Sequence, residues 1–212
     1  GAGGVTGRHR EIGLGFTRFG PDLDRSKRIF MQLVMGKTEM SLGYVSLPGR
    51  GANDRFLAQV ADRLQDRGLK LAGTVQTNIE RADRTKCDMD IVILPDGPVL
   101  RISEDRGNLA RGCRLDAGVL EQAVAGVSRA MPGADLLIVN KFGKQEAEGR
   151  GMAPLIAEAL ERNLPVLLGV NGLNLPAFQT FAGGLETALA ADIDQVVEWC
   201  VSAGCHLHEP AR

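Results

Sequence analysis

The chain has 212 residues, 44% of them hydrophobic and 24% charged, with a formal net charge of −1. That length suits one domain around a single sizeable core, perched between very small and multidomain sizes. The near-zero charge offers no global attraction to nucleic acid or a membrane surface, and an aromatic content of 4% leaves few platforms for stacking single-stranded bases.

No apolar run approaches the ~20 residues that span a bilayer, and no apolar segment of a secretory leader is visible near the start. Four cysteines (Cys87, Cys113, Cys200, Cys205) are scattered without a CxxC pair. A reduced, cytoplasmic setting is therefore expected. The histidines, His9, His206 and His208, lie near the two ends. The central region has no imidazole of its own, which weakens Ser-His-Asp and Cys-His readings.

Residues 1–40 hold seven Lys/Arg against four Asp/Glu, whereas the rest holds 18 against 22. The opening, "GAGGVTGRHREIGLGFTRFG", is glycine-rich and aperiodic. A mobile extension is expected over 1–40, a single domain over 41–203 and a tail over 204–212. "SLGYVS" reads as a strand. A helix follows with Phe56, Leu57, Val60, Ala61 and Leu64 on one face and Asn53 as its expected cap; Gly68 stands past its end. "LKLAGTV" is a second strand, followed by a polar stretch from Gln76 to Asp88. "MDIVIL-PDG-PVLRIS" predicts a hairpin. Asp116 is placed to cap a helix over about 117–130. "DLLIVN" and "LPVLLGV" are fully apolar strands, with a helix over 152–162 between them. A short helix over 176–181 and a last one, capped by Asp192 and running to Val201, complete the chain.

Strands without alternation, separated by helices, predict a parallel sheet covered on both faces: a three-layer αβα sandwich with an added β-hairpin. In such sheets ligands bind beyond the C-terminal strand ends. Those ends are Ser46–Asp54, Asn140–Arg150 and Asn171–Asn174.

Five stretches carry candidate chemistry. "GKT" at Gly36–Thr38 is the tail of a phosphate-binding loop, but its partner glycine is replaced by Met31 and a strand rather than a helix follows, so it is set aside. "LPGRGAND" has the right context, strand, glycine turn, helix: Gly49 and Gly51 would let backbone N–H groups approach an anion at a helix N-terminus. The dinucleotide pattern fails at Asp54, whose carboxylate would repel a pyrophosphate unless it caps the helix or binds another group. "NKFGKQEAEGRG" follows the most apolar strand and carries Lys141, Lys144, Arg150, Glu146 and Glu148. Arg101, Arg106, Arg111 and Arg114 surround Cys113, where a small cysteine in a surface loop is the plainer reading than a nucleophile. Cys200, Cys205, His206 and His208 could bind zinc in principle, but their spacing is irregular and packing plus a frayed end is expected.

The order strand, "PGRGAND", helix, "LAGTVQ", hairpin, "DLLIVNKFGK", helix, "VLLGVN" resembles the THEP-type nucleoside-triphosphatases of the P-loop superfamily. More closely, "NKFGKQEAEGRG", "GCRLD" and "FAGG" resemble the bacterial family called domain of unknown function 2478 (DUF2478), over roughly Ser41 to Cys200. The resemblance implies a P-loop-NTPase-like sheet and a link to molybdenum transport. It also implies departures. The THEP loop "PGxGKTT" falls on Pro48–Asp54, so its lysine position is Ala52 and its metal-binding hydroxyl is Asn53. The acidic pair of its "DEIGK" becomes Asn140 and Lys141. Phosphoryl transfer depends on those missing groups.

The leading expectation is thus a degenerate P-loop-like domain that binds an anionic ligand: a nucleotide such as ATP or GTP, phosphate, or an oxyanion such as molybdate, without Mg²⁺. Its site residues would be Gly49, Arg50, Gly51, Ala52, Asn53, Asp54, Asn140, Lys141, Lys144 and Asn171. One alternative is an active THEP-like nucleoside-triphosphatase, with Glu146 as its catalytic residue. The other is a partner-binding regulatory module with a vestigial site. A homo-oligomer or a transporter-associated partner stays open; nucleic acid and membrane partners are not expected.

Overall fold

The structure, a computed structural model, describes residues 40–79, 88–103 and 116–205. Among the described residues seven strands form one sheet: β1 Leu42–Val45, β2 Leu71–Ile79, β3 Asp88–Leu94, β4 Val99–Arg101, β5 Leu136–Phe142, β6 Val166–Val170 and β7 Glu186–Ala188. The helices are α1 Ala52–Asp66, α2 Ala117–Ala130, α3 Lys144–Ala147, α4 Ala153–Glu161, α5 Leu175–Ala182 and α6 Ile193–Cys205. The strand order is β4-β3-β2-β5-β6-β1-β7. From β2 to β7 every neighbouring pair is parallel. The β3–β4 hairpin adds to the outer edge of β2 in antiparallel sense.

β5 and β6 are buried on both sides because helices cover both faces. On one face Val45, Leu71, Leu136, Ile138 and Leu167 pack with Phe56, Leu57, Val60 and Leu64 of α1 and Val196, Val197 and Cys200 of α6. On the other, Tyr44, Leu137, Val139 and Leu168 pack with Val127 of α2, Ile156 and Leu160 of α4 and Phe178 of α5. This is the expected mostly parallel three-layer sandwich with its hairpin.

Asp116 caps α2 as expected, accepting from the Gly118 and Val119 N–H groups at 2.9 and 3.1 Å. Asp192 accepts from the Gln195 N–H at the start of α6, and that helix runs on to Cys205 rather than stopping at Val201. Gly68 takes the positive φ expected past α1. Three readings change. Asn53 is not the cap of α1: Gly51 holds that position at φ 69°, and Asn53 lies inside the helix. The stretch from Gln76 is not all loop, because β2 continues to Ile79, where pairing with Asp88–Leu94 satisfies its backbone despite its polar side chains. β7 was not foreseen: its three residues, Glu186 half-buried and Thr187 and Ala188 exposed, have no apolar signal and are held by pairing with β1.

The expected N-terminal extension, "GKT", Cys87, Arg106, Arg111, Cys113, Arg114, His206 and His208 lie outside the described residues. Arg101 is described and forks onto Asp90, with Nε and Nη2 donating at 2.8 and 3.2 Å. Among the described residues no helix is long and apolar enough to cross a membrane.

Candidate functional site

The C-terminal ends of β1, β2, β5 and β6 surround a cleft of about 490 Å³, within the usual range for small-molecule sites. Its first wall is the turn from β1 into α1. Gly49 and Gly51 have φ of 96° and 69°, a region open to glycine and strained for other residues. Their positive φ lets six residues join a strand to a helix whose first-turn N–H groups end at the cleft. Asn53 stabilises the turn from within: its Oδ1 accepts from the Leu47 N–H at 2.9 Å.

The floor is a polar network. Asn140 Nδ2 donates to Asp54 Oδ1 at 2.8 Å, Gln76 Nε2 donates to Asp54 Oδ2 at 3.3 Å, and the Gln76 N–H donates to Asn140 Oδ1 at 2.9 Å. Three separate segments are thereby tied together. Asn140 is only 4% exposed, so its amide depends on these partners. The pairing of β5 with β6 slips between Val139 and Phe142, and such irregularities re-aim side chains beside sites. Here Asn140 is buried, Lys141 is exposed and Phe142 returns to the core. Phe142 is clamped edge-on by Phe178 at 5.2 Å and tilted against Phe181 at 5.2 Å. Gly169 on β6 makes the irregularity fit, since a Cβ there would lie 2.4 Å from the Asn140 carbonyl oxygen.

The third wall is the turn after β6. Asn171 Oδ1 accepts from the Asn174 N–H at 2.9 Å, and Asn174 Nδ2 donates to the Phe142 carbonyl at 3.1 Å. This pinned turn holds Leu173 at the rim, 93% exposed.

Of the expected site residues, Gly49, Arg50, Gly51, Asn53, Asp54, Asn140, Lys141 and Asn171 line this cleft. Ala52 is the first residue of α1, in the turn but not in the lining. Lys144 and Glu146 are not brought to it. Lys144 is 86% exposed and pairs with Glu148 at 3.7 Å. Glu146 is 6% exposed; its Oε2 accepts from the Gly143 N–H at 2.9 Å and its Oε1 from the Met152 N–H at 3.1 Å. It staples the two ends of the loop after β5 and is not among the residues that line this cleft, where the expected catalytic carboxylate would have to stand. Sequence reasoning named the stretches that hold Leu47, Gly172 and Leu173 without singling those residues out, and missed Gln76 and Met89. Gln76 was within reach: it follows the apolar run of β2, and the strand-end rule applied to β2 would have named it.

Among the described residues the lining offers two cations, Arg50 and Lys141, and one carboxylate, Asp54. No group of three or more His, Cys, Asp or Glu that could hold a metal occurs among the described residues. Cys200, considered above for zinc, is fully buried in the core, and burial pushes its thiol up to about 12.

Compared with known proteins, residues 42–199 match the family described as "Protein of unknown function (DUF2478)". The chain is 34% identical over 147 residues to the molybdenum import ATP-binding protein ModC 2 of Bradyrhizobium diazoefficiens (strain JCM 10833 / BCRC 13528 / IAM 13628 / NBRC 14792 / USDA 110). That match covers 69% of this chain and 16% of the relative, so the chain spans a small part of that protein's length. The solution structure of a human cancer-related nucleoside triphosphatase aligns with a TM-score of 0.45 and 16% identity, over 81% of this chain and 99% of that one. The chain belongs to the DUF2478 family.

Proposed function

We propose that this member of the DUF2478 family binds a phosphate-bearing or related anionic ligand, with nucleotides foremost, in the cleft after β1, and does so without Mg²⁺-dependent hydrolysis. The observation that carries the reading is the meeting, in one cleft, of a positive-φ glycine turn, the N-terminus of a 15-residue helix, and the side chains of Arg50 and Lys141. Backbone N–H groups and the helix dipole favour negative charge at such an end. The relative's description as an ATP-binding protein supports a nucleotide among the anions.

The same geometry supports binding without hydrolysis. A P-loop enzyme holds Mg²⁺ between a hydroxyl of the loop and a carboxylate of a neighbouring strand. Here the loop contributes Asn53, turned back onto Leu47, and the strand contributes Asn140, bonded directly to Asp54. Ala52 stands where the resemblance places the phosphate-binding lysine. Without that lysine and the metal, little remains to stabilise charge on a transferring phosphoryl group.

Titration calorimetry with ATP, GTP, phosphate and molybdate tests the reading. Lys141→Ala and Arg50→Ala are each expected to weaken binding about tenfold, the scale of one hydrogen bond to a charged group. Lys144→Ala, away from the cleft, serves as the unaffected control. Failure of all four ligands to bind, or binding indifferent to both cleft cations, overturns the site. Phosphate release from ATP or GTP that requires Mg²⁺ overturns the non-hydrolytic half.

A second reading is association with molybdenum-import machinery, favoured by the relative's description. Specific co-purification with a molybdenum-import ATP-binding subunit would support it, and its absence at micromolar concentrations would count against it.

A further inference from the structure

The bonds already made around the cleft decide which of its side chains still have something to give. Asn53 Oδ1 accepts from the Leu47 N–H and Asn171 Oδ1 from the Asn174 N–H, each at 2.9 Å. A backbone N–H can only donate, so each of these bonds fixes which way round its carboxamide stands. The two oxygens turn back to the chain, and the two Nδ2 groups, with two N–H donors apiece, are left over. Among the described residues neither Nδ2 makes a hydrogen bond, and the side chains of Arg50 and Lys141 make neither a hydrogen bond nor an ion pair. All four residues line the cleft.

The acceptors stand otherwise. Asn140 Oδ1 takes the Gln76 N–H, while the two Asp54 oxygens take Asn140 Nδ2 and Gln76 Nε2. A further polar interaction engages Asp54 besides. The side-chain oxygens of Asn53, Asn140, Asn171 and Asp54 are thus each engaged within the protein, and the donors of Asn53, Asn171, Arg50 and Lys141 are not.

A ligand that only accepts matches such a lining. An anion that keeps a proton brings a donor as well, and a donor set against engaged acceptors and cations loses the partner it had in water, which is costly. Donors from the glycine turn, α1, β5 and the turn after β6 suit a group with four acceptor oxygens better than a planar carboxylate with two. Resting on the anion-site reading above, we infer that the cleft takes a tetrahedral oxyanion in its proton-free form, with the Asn53 and Asn171 amides as neutral donors beside Arg50 and Lys141. Free sulfate or molybdate supplies such a group, and so does the ionised terminal phosphate of a nucleotide.

Calorimetry on the full chain compares sulfate, molybdate and hydrogen phosphate at equal ionic strength near pH 8, where all are dianions and only phosphate keeps a proton. Sulfate, close to phosphate in size, decides: it is expected to bind roughly tenfold more tightly than hydrogen phosphate, the scale of one donor left without a partner. Hydrogen phosphate binding as tightly as sulfate overturns the inference while leaving the anion site standing. Titration of ATP with and without sulfate identifies the source. ATP bound more tightly than the free oxyanions and displaced by sulfate assigns the group to a nucleotide; sulfate or molybdate bound more tightly than ATP assigns it to a free oxyanion; ATP and sulfate bound without competition overturn the inference.

Asn53→Asp and Asn171→Asp keep an oxygen for their turns and remove the amide donor, so melting temperatures near wild type are expected. Each variant is expected to bind sulfate at least about tenfold more weakly than Gly172→Asp, which adds the same charge to the lining at a position where a Cβ meets nothing within 4 Å. Equal losses in all three overturn the role of the amides. If the asparagine variants do not fold, the wild-type comparison of sulfate with hydrogen phosphate decides alone. Absence of binding by every anion, ATP included, overturns the anion site itself.

Discussion

Glu146 holds the loop after β5 by two backbone bonds, one to Gly143 at its start and one to Met152 at its end. Gly151 gives it room: at φ 57° it lies in the left-handed region, and a Cβ there would come within 2.4 Å of Glu146 Oε1. Glu146→Ala is expected to lower stability by about 1–3 kcal/mol, because two N–H groups lose their acceptor. Gly151→Ala is expected to cost a similar ~1–3 kcal/mol through backbone strain and contact. Chemical denaturation measures both, and ligand affinity of the folded variants should stay near wild type, as neither residue lines the cleft. Cys200 supports a prediction of another kind. Its thiol is held up to about 12 by burial, whereas an unfolded cysteine ionises near 8.5. Between those values the unfolded chain has lost a proton that the native chain keeps, so stability falls as pH rises through that window. Cys200→Ala should flatten that part of the stability–pH curve. Native alkylation followed by mass spectrometry should find Cys200 unlabelled until the chain is denatured.

At the scale of elements, the sheet is close-packed where it carries the site. Gly73 in β2 has φ of 124°, and a Cβ there would lie 1.8 Å from the Ile138 carbonyl oxygen of β5. Gly73→Ala is therefore expected to push the two strands apart and destabilise by about 3 kcal/mol or more, read as a large loss of soluble, folded protein or of melting temperature. Gly169→Ala is a subtler test. Its Cβ would press on the Asn140 carbonyl across β5 and β6, displacing the floor of the cleft. The expected signature is weakened ligand binding with a smaller loss of stability than Gly73→Ala. The elements themselves were largely legible. Runs such as "LPVLLGV" and "DLLIVN" had the composition of strands buried on both faces, and Asp116 and Asp192 marked their helix starts. What misled was local polarity. Gln76–Ile79 reads as a loop until β3 is laid beside it, and Asn53 reads as a cap until Gly51 is seen to turn the chain one step earlier.

For the molecule as a whole, the layout places a cleft where four parallel strands end, with Arg50, Lys141 and Asp54 the charged residues around it among those described. Its exposed cations are screened by salt, so anion affinity should fall as ionic strength rises. Chelation of divalent cations should leave nucleotide affinity unchanged, because Asp54 and Asn140 bond to each other rather than flank a metal; a strict Mg²⁺ requirement in calorimetry would contradict that arrangement. By itself the sequence determined the layered architecture, through the period and length of its apolar runs, and the turn "PGRGAND" as the candidate site proposed above, through its glycines between strand and helix. It also disclosed the absence of a lysine at Ala52. Only the tertiary structure decided which charged residues meet. Lys141 and Glu146 stand five positions apart, yet the irregular end of β5 leaves Lys141 at the cleft while the loop folds Glu146 under its own backbone. Gln76 reaches Asp54 and Asn140 only because β2 and β5 pair side by side. Local pattern reports which backbone states a segment prefers; the convergence of side chains distant in sequence depends on how whole strands align, which no short stretch encodes.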